Sequence, residues 1–127
     1  MANILVIEDQ QSIGMVLKLV LSDHGYSVEV VPNGKLGLER LYMEPRPEVV
    51  IVDLNIPVIS GRELLELMRN DVRLNEVPVI IISGSAQTLD IMPSEGSYQA
   101  FISKPFDLFD VLEKVNRLVR DASSCCT

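Results

Sequence analysis

Three apolar runs rich in valine and isoleucine, and a fourth, weaker run, recur along the chain, and polar residues follow each of them. They occupy positions 4–7, 49–52, 79–82 and 100–103. Apolar runs of this length with polar flanks are typical of strands buried on both faces. A further run, 26–31, alternates between apolar and polar residues, which predicts a strand at the edge of a sheet. The pattern therefore predicts five strands.

Helical periodicity fills the segments between these strands. Apolar residues spaced three and four positions apart predict helices over 12–23, 34–43, 61–70 and from 108 onward. Ser12 is of a residue type that favours a helix N-cap. In the second helix, Leu38, Leu41 and Tyr42 are predicted to face the core.

A fourth helix is expected between the fourth and fifth strands, within 87–98, but this segment contains Pro93. Proline costs about 3 kcal/mol in a helix interior, because it removes a hydrogen bond and clashes with the preceding turn. We therefore predict five helices, of which the fourth is short, displaced or partly unwound.

The alternation of strands and helices predicts an α/β fold with a doubly wound, five-stranded parallel sheet of the flavodoxin-like order 2-1-3-4-5. In this order strands one and three are neighbours, and all strands end at one edge. Glu8, Asp9 and Asp53 then converge at that edge, together with Ser83 and Lys104. Ligands of open α/β sheets bind at this edge, so a functional site is expected there.

Composition narrows the class of protein. The 127 residues carry a net charge of −7, and the eleven lysines and arginines are scattered. Direct nucleic-acid binding needs concentrated positive charge, which this chain lacks.

No membrane span or secretory signal is recognisable, so a cytoplasmic protein is expected. We predict one domain over 1–122 and a flexible tail over 123–127, whose adjacent Cys125 and Cys126 lack the spacing of a metal or redox motif.

The convergent residues favour phosphoryl chemistry. Three crowded carboxylates repel one another unless a cation binds them, and such an all-oxygen site suits Mg²⁺. Lys104 and the Ser83 hydroxyl can then contact phosphoryl oxygens. Asp53 remains as a nucleophile, since carboxylates can form aspartyl-phosphates.

The chain resembles the receiver domains of two-component response regulators, the chemotaxis-regulator-like family, from about residue 2 to residue 120. The motifs are the acidic pair Glu8-Asp9, the segment 53–57 followed by Gly61, the hydroxyl residue Ser83, and the segment 104–106. Each motif is weak alone. Together, in order and at the ends of the predicted strands, they are highly specific.

The resemblance implies a role for each site residue. Asp53 would accept a phosphoryl group from a sensor histidine kinase, a phosphotransfer protein or a small phosphodonor. Mg²⁺ would be bound by Asp9, Asp53, the backbone carbonyl of Asn55 and, through a water molecule, Glu8. The chain would be no enzyme in the ordinary sense, since it would catalyse only its own phosphorylation and dephosphorylation, and no organic cofactor is implied.

The resemblance also implies a switch. Ser83 and Lys104 would bind the phosphoryl oxygens, and Lys104-Pro105 would be a cis peptide. Phe101 would turn inward as Ser83 moves toward the phosphoryl group, which would reshape a face that binds an unknown downstream protein. Homodimerisation through the last two helices is left open. Asn55 and Ser85 are the neighbours linked to dephosphorylation.

Three other functions share features with this pattern. A pseudo-receiver that binds partners without phosphorylation is the main alternative, although the intact site residues argue against it. A haloacid-dehalogenase-like phosphatase needs a second acid two residues after its nucleophile, and Asn55 cannot act as a general acid or base. Flavin binding is disfavoured because no Ser/Thr- and Gly-rich phosphate loop follows the first strand.

Overall fold

The computed structural model of the chain describes residues 2–54, 56–84 and 96–125, with side chains as far as residue 120. Within these residues the chain forms five strands, as the apolar runs predict. The strands are β1 (Asn3–Ile7), β2 (Ser27–Val31), β3 (Val49–Asp53), β4 (Val79–Ser83) and β5 (Ala100–Ser103).

All five strands are parallel and lie in the order β2-β1-β3-β4-β5, which confirms the predicted doubly wound topology. The register places Asp53 beside Ile82 and Ser83 beside Ser103. The last residues of the three neighbouring strands β3, β4 and β5 therefore lie side by side at one edge. This is the arrangement that a functional site at the carboxyl edge requires.

The described residues contain four helices, one fewer than predicted. They are α1 (Gln11–Asp23), α2 (Gly34–Leu41), α3 (Gly61–Arg69) and α4 (Leu108–Cys125), the last being the predicted fifth helix. None of these four is both long and apolar enough to cross a membrane. Helix α4 continues to Cys125, so it includes the first three residues of the segment predicted as a tail.

The predicted fourth helix, with Pro93, lies mostly in 85–95, outside the described residues. Its last three positions, 96–98, are described and are not helical. Gly96 has φ +89°, a left-handed conformation that glycine adopts without strain and that a right-handed helix cannot continue through. The described end of this segment, 96–98, is therefore not helical, and the short or displaced helix within the rest of the segment stays a prediction.

Two hydrophobic layers cover the sheet, one on each face. Leu5 and Ile7 face the layer of α2 and α3, whereas Ile4 and Val6 face the layer of α1 and α4. This division follows from the strand, in which successive side chains point to opposite faces. Because both layers are apolar, β3 and β4 are buried along their whole length, and their polar side chains, Asp53 and Ser83, stand at their carboxyl ends.

Arg69 connects helix α3 with the residues that precede β5. From the end of α3, its guanidinium donates to the carbonyl oxygens of Ser97 (2.7 Å) and Val77 (3.0 Å) and to Gln99 Oε1 (3.3 Å). Burial lowers the pKa of Arg69. One side chain thus links the α3–β4 loop to the residues that lead into β5.

Tyr42 is on the surface, so the prediction that it faces the core is wrong. Helix α2 ends at Leu41, and Tyr42 turns outward as its C-cap. The Tyr42 hydroxyl donates to Asp71 Oδ2 at 2.5 Å, and the Arg73 guanidinium lies 4.5 Å from the ring centroid. The hydrogen bond from Tyr42, followed by the contacts with Arg73, lowers the pKa of Asp71 from 3.8 to about 2.

This cluster predicts a dependence of stability on pH. A lowered carboxyl pKa stabilises the fold above the ordinary pKa of 3.8, and this contribution is lost as the pH falls through about 2. We expect Tyr42→Phe to remove part of that loss, so that the variant and the wild type converge in stability between pH 4 and pH 2. Urea denaturation over this range measures the difference. In an Asp71→Asn background the same substitution should leave the pH dependence of stability unchanged. If Tyr42→Phe also left it unchanged with Asp71 present, the assignment of the effect to the Tyr42–Asp71 hydrogen bond would be contradicted.

Candidate functional site

The polar residues at the carboxyl edge come from four strands. Glu8 and Asp9 directly follow β1, Asp53 and Ser83 end β3 and β4, and Lys104 follows β5. Glu8, Asp53 and Ser83 are almost fully buried, with only 2%, 4% and 2% of their surface exposed, whereas Asp9 is exposed. The structure thus brings together the side chains that the sequence pattern selected, because parallel strands deliver their ends to one edge.

Carboxylate oxygens of Glu8, Asp9 and Asp53 lie within 4.8 Å of one another. Glu8 Oε2 is buried and has no hydrogen-bond partner among the described residues. Burial, and next the neighbouring Asp53 carboxylate, raise the pKa of Glu8 to about 7, although Lys104 acts in the opposite direction. An unpartnered buried carboxylate oxygen is costly, so this cluster has an unmet requirement for positive charge.

Lys104 supplies part of that charge. Its ammonium Nζ lies 2.6 Å from Asp53 Oδ2 and 3.3 Å from Glu8 Oε1. Burial lowers the pKa of Lys104, but the two carboxylates outweigh burial and the net pKa is raised. The Lys104 stem passes Gly84, where a Cβ atom would stand 3.5 Å from the lysine Cδ. Lys104-Pro105 is a cis peptide, as the resemblance implies.

Of the remaining predicted residues, Phe101 and Ser83 lie in the described part of the chain. Asn55, Ser85 and Pro93 lie outside the described residues. Phe101 is half-buried in β5 and packs against the hydrophobic layer formed with α2 and α3. Ser83 is buried at the end of β4, and its carbonyl oxygen accepts a hydrogen bond from the Lys104 backbone amide at 2.9 Å.

Gln10 belongs to the site although the sequence pattern did not select it. Its backbone amide donates to Glu8 Oε1 at 3.3 Å, and its side-chain Oε1 accepts from Lys104 Nζ at 3.4 Å. Gln10 is also the N-cap of α1, a position predicted for Ser12. Its place directly after the acidic pair is the signal that could have identified it.

The set of donors determines what this edge can bind. Carboxylate oxygens are ligands for hard divalent cations, and few protein ligands with room for water favour Mg²⁺ over Ca²⁺. The ammonium of Lys104 offers a point charge for an anionic oxygen. The edge can therefore bind a cation and an anion side by side.

The sequence of the chain is similar to those of response regulators. A family model for the response regulator receiver domain matches residues 4–116. Response regulator ArlR of Staphylococcus epidermidis is 31% identical over 121 residues, which are 94% of this chain and 53% of ArlR. The DNA-binding dual master transcriptional regulator RpaA of Synechocystis is 28% identical over 94% of this chain and 50% of its own length. The chain spans about half the length of these relatives.

Solved structures have the same fold. The chemotaxis response regulator CheY4 of Vibrio cholerae superposes with a TM-score of 0.82 at 25% identity, over 93% of this chain and 98% of CheY4. The signal receiver domain of a signal transduction histidine kinase from Syntrophus aciditrophicus gives 0.86 at 28% identity, over 95% and 92% of the two chains. With the family model matching nearly the whole sheet and its helices, the chain belongs to the response regulator receiver domain family.

Proposed function

We propose that the chain is a phosphoacceptor of a two-component phosphorelay and that Asp53 accepts the phosphoryl group. The observation that carries the proposal is the position of Asp53. Its carboxylate is almost buried at the end of β3, and Lys104 Nζ lies 2.6 Å from Oδ2, while Glu8 and Asp9 flank it. A carboxylate in such a site can act as a nucleophile toward phosphorus.

The transfer would proceed by displacement at phosphorus. An Asp53 carboxylate oxygen forms a bond to phosphorus as the P–N bond of a phosphohistidine breaks, or the P–O bond of a small acyl phosphate. The leaving imidazole or carboxylate keeps the electron pair of the broken bond. Lys104 orients the phosphoryl oxygens and balances their charge, and the Ser83 hydroxyl donates to one of them. Positioning and charge stabilisation supply most of the catalysis that phosphoryl transfer needs.

The acidic cluster fits a Mg²⁺ ion. Asp9 and Asp53 would bind it together with the backbone carbonyl of Asn55, and Glu8 would contact it through a water molecule. Glu8 Oε2, which is buried and has no hydrogen-bond partner in the described part of the chain, supports this fit, since its charge requires compensation. When bound, Mg²⁺ supplies Lewis-acid neutralisation of the charge on the transferring phosphoryl group.

Phosphorylation would act on partners through Ser83 and Phe101. Adding charge at Asp53 draws Ser83 toward the phosphoryl oxygens, and Phe101 then moves further into the hydrophobic layer that it already contacts. A local change of charge would thereby shift a two-state surface. The phosphodonor would be a histidine kinase or phosphotransfer protein, and the readout a downstream protein or a second copy of the chain.

Intact mass spectrometry after incubation with acetyl phosphate tests the proposal directly. We expect the wild type to gain one phosphoryl group in the presence of Mg²⁺ and none after EDTA treatment. Circular dichroism before and after EDTA confirms that the metal-free protein stays folded. A folded protein that gains no phosphoryl group with Mg²⁺ would contradict the proposal and favour a pseudo-receiver that binds its partner without phosphate.

A further inference from the structure

We infer that Gln10 is a positioning residue for Lys104, an inference that rests on the proposed phosphorylation of Asp53. Lys104 offers three N–H donors. Their acceptors are Asp53 Oδ2 at 2.6 Å, Glu8 Oε1 at 3.3 Å and Gln10 Oε1 at 3.4 Å. Gln10 completes the set, and it is the single uncharged acceptor among these three.

The N-terminus of α1 is compatible with this role. A side chain at the N-cap can accept from a free backbone amide of the first turn, and Ser, Thr, Asp and Asn are the residue types preferred there. Gln10 occupies this position with extended backbone angles, φ −82° and ψ 108°, yet its side chain makes no capping hydrogen bond. The Gln10 side chain contacts Lys104 instead, so the first turn of α1 has no side-chain cap from Gln10.

The orientation of the Gln10 amide follows from the chemistry of its partner. An ammonium group can only donate, so the carbonyl oxygen rather than the NH₂ group must face Lys104. The contact is therefore an ion–dipole hydrogen bond of defined direction. It ties the end of the flexible lysine side chain to the β1–α1 loop, which also carries Glu8 and Asp9.

The neutral character of Gln10 matters during the reaction. Asp53 and Glu8 attract the Lys104 ammonium less strongly once a cation lies beside them. The contact between Asp53 and Lys104 also changes when an Asp53 oxygen bonds to phosphorus. The contact with Gln10 depends on neither charge. Gln10 thus keeps Lys104 at the mouth of the site while its two carboxylate contacts weaken.

Two substitutions separate this role from a structural one. Gln10→Ala and Gln10→Ser both remove the acceptor for Lys104, but only serine can cap α1. We expect both variants to be phosphorylated by acetyl phosphate about fivefold more slowly than the wild type, the factor for loss of a typical hydrogen bond. We expect the serine variant to melt about 3 °C higher than the alanine variant without Mg²⁺, because of the new cap.

Gln11→Ala is the matched control, since Gln11 is exposed, adjacent and of the same residue type; its rate should equal that of the wild type. Initial rates come from intact mass spectrometry and melting temperatures from circular dichroism. The inference is overturned if both variants react at the wild-type rate, or if the rate follows the melting temperature so that only the alanine variant is slow. A wild type that takes up no phosphoryl group overturns the proposed function, and this inference with it.

Discussion

Replacing Asp53 by asparagine is expected to abolish phosphorylation altogether. The amide oxygen is a poor nucleophile, so no aspartyl-phosphate can form at this position. The substitution also removes the carboxylate that Lys104 contacts at 2.6 Å and one member of the acidic cluster. Intact mass spectrometry with acetyl phosphate and Mg²⁺ should find only unmodified protein, whereas the wild type gains one phosphoryl group.

Asp23→Asn provides the matched control, because Asp23 is an exposed acid at the far end of α1. This variant should be phosphorylated like the wild type. Thermal unfolding establishes that Asp53→Asn is still folded. If the folded Asp53→Asn protein gained a phosphoryl group at the wild-type rate, another side chain would be the acceptor, and Asp9 would be the next to test.

Replacing Gly34 by alanine is expected to have the largest effect on stability. An added Cβ atom would stand 2.1 Å from the backbone oxygen of Ile59 and 2.8 Å from its Cβ. Neither atom is the end of a flexible side chain, so the β3–α3 loop must shift. The backbone hydrogen bond from Gly34 to Pro57, 3.2 Å long, would then be strained as well. Overpacking of this kind costs about 2–3 kcal/mol of unfolding free energy, measurable by urea denaturation.

Gly84→Ala is the corresponding control, because its Cβ would meet the Lys104 stem at an ordinary 3.5 Å. We expect its stability to stay within about 0.5 kcal/mol of the wild type. A loss of comparable size in both variants would mean that the effect arises from glycine replacement in general rather than from the contact with Ile59. The loop that Gly34 supports follows Asp53 directly, so a slower phosphorylation of Gly34→Ala is also expected.

The strands and their order were predictable because the controlling forces are local and periodic. A strand buried on both faces must be apolar along its whole length, and the runs that end at Ile7, Asp53 and Ser83 have this composition. Right-handed crossovers and short loops then leave few topologies for alternating strands and helices. The convergence of Glu8 and Asp53 follows from that topology, since it depends on strand ends rather than on side-chain detail.

Other features depend on contacts between distant segments, which periodicity does not report. Tyr42 has the spacing of an inward residue, but α2 ends one residue earlier. Asp71 in the α3–β4 loop accepts a hydrogen bond from the Tyr42 hydroxyl. Gln10 was not selected from the sequence, because its partner Lys104 is 94 positions away. The left-handed conformation of Gly96, which keeps residues 96–98 out of the predicted fourth helix, is likewise not evident from composition alone.

The order of residues along the chain was therefore sufficient for the α/β fold, the parallel sheet and the set of acids, hydroxyl and lysine at its carboxyl edge. These follow from hydrophobic burial and strand periodicity, which act within a few residues. Three other features arise only from the tertiary structure. These are the three acceptors around the Lys104 ammonium, the Glu8 oxygen that has no partner among the residues described, and the surface position of Tyr42. Hydrogen bonds and burial at these points depend on distances between segments far apart in sequence, and packing sets those distances.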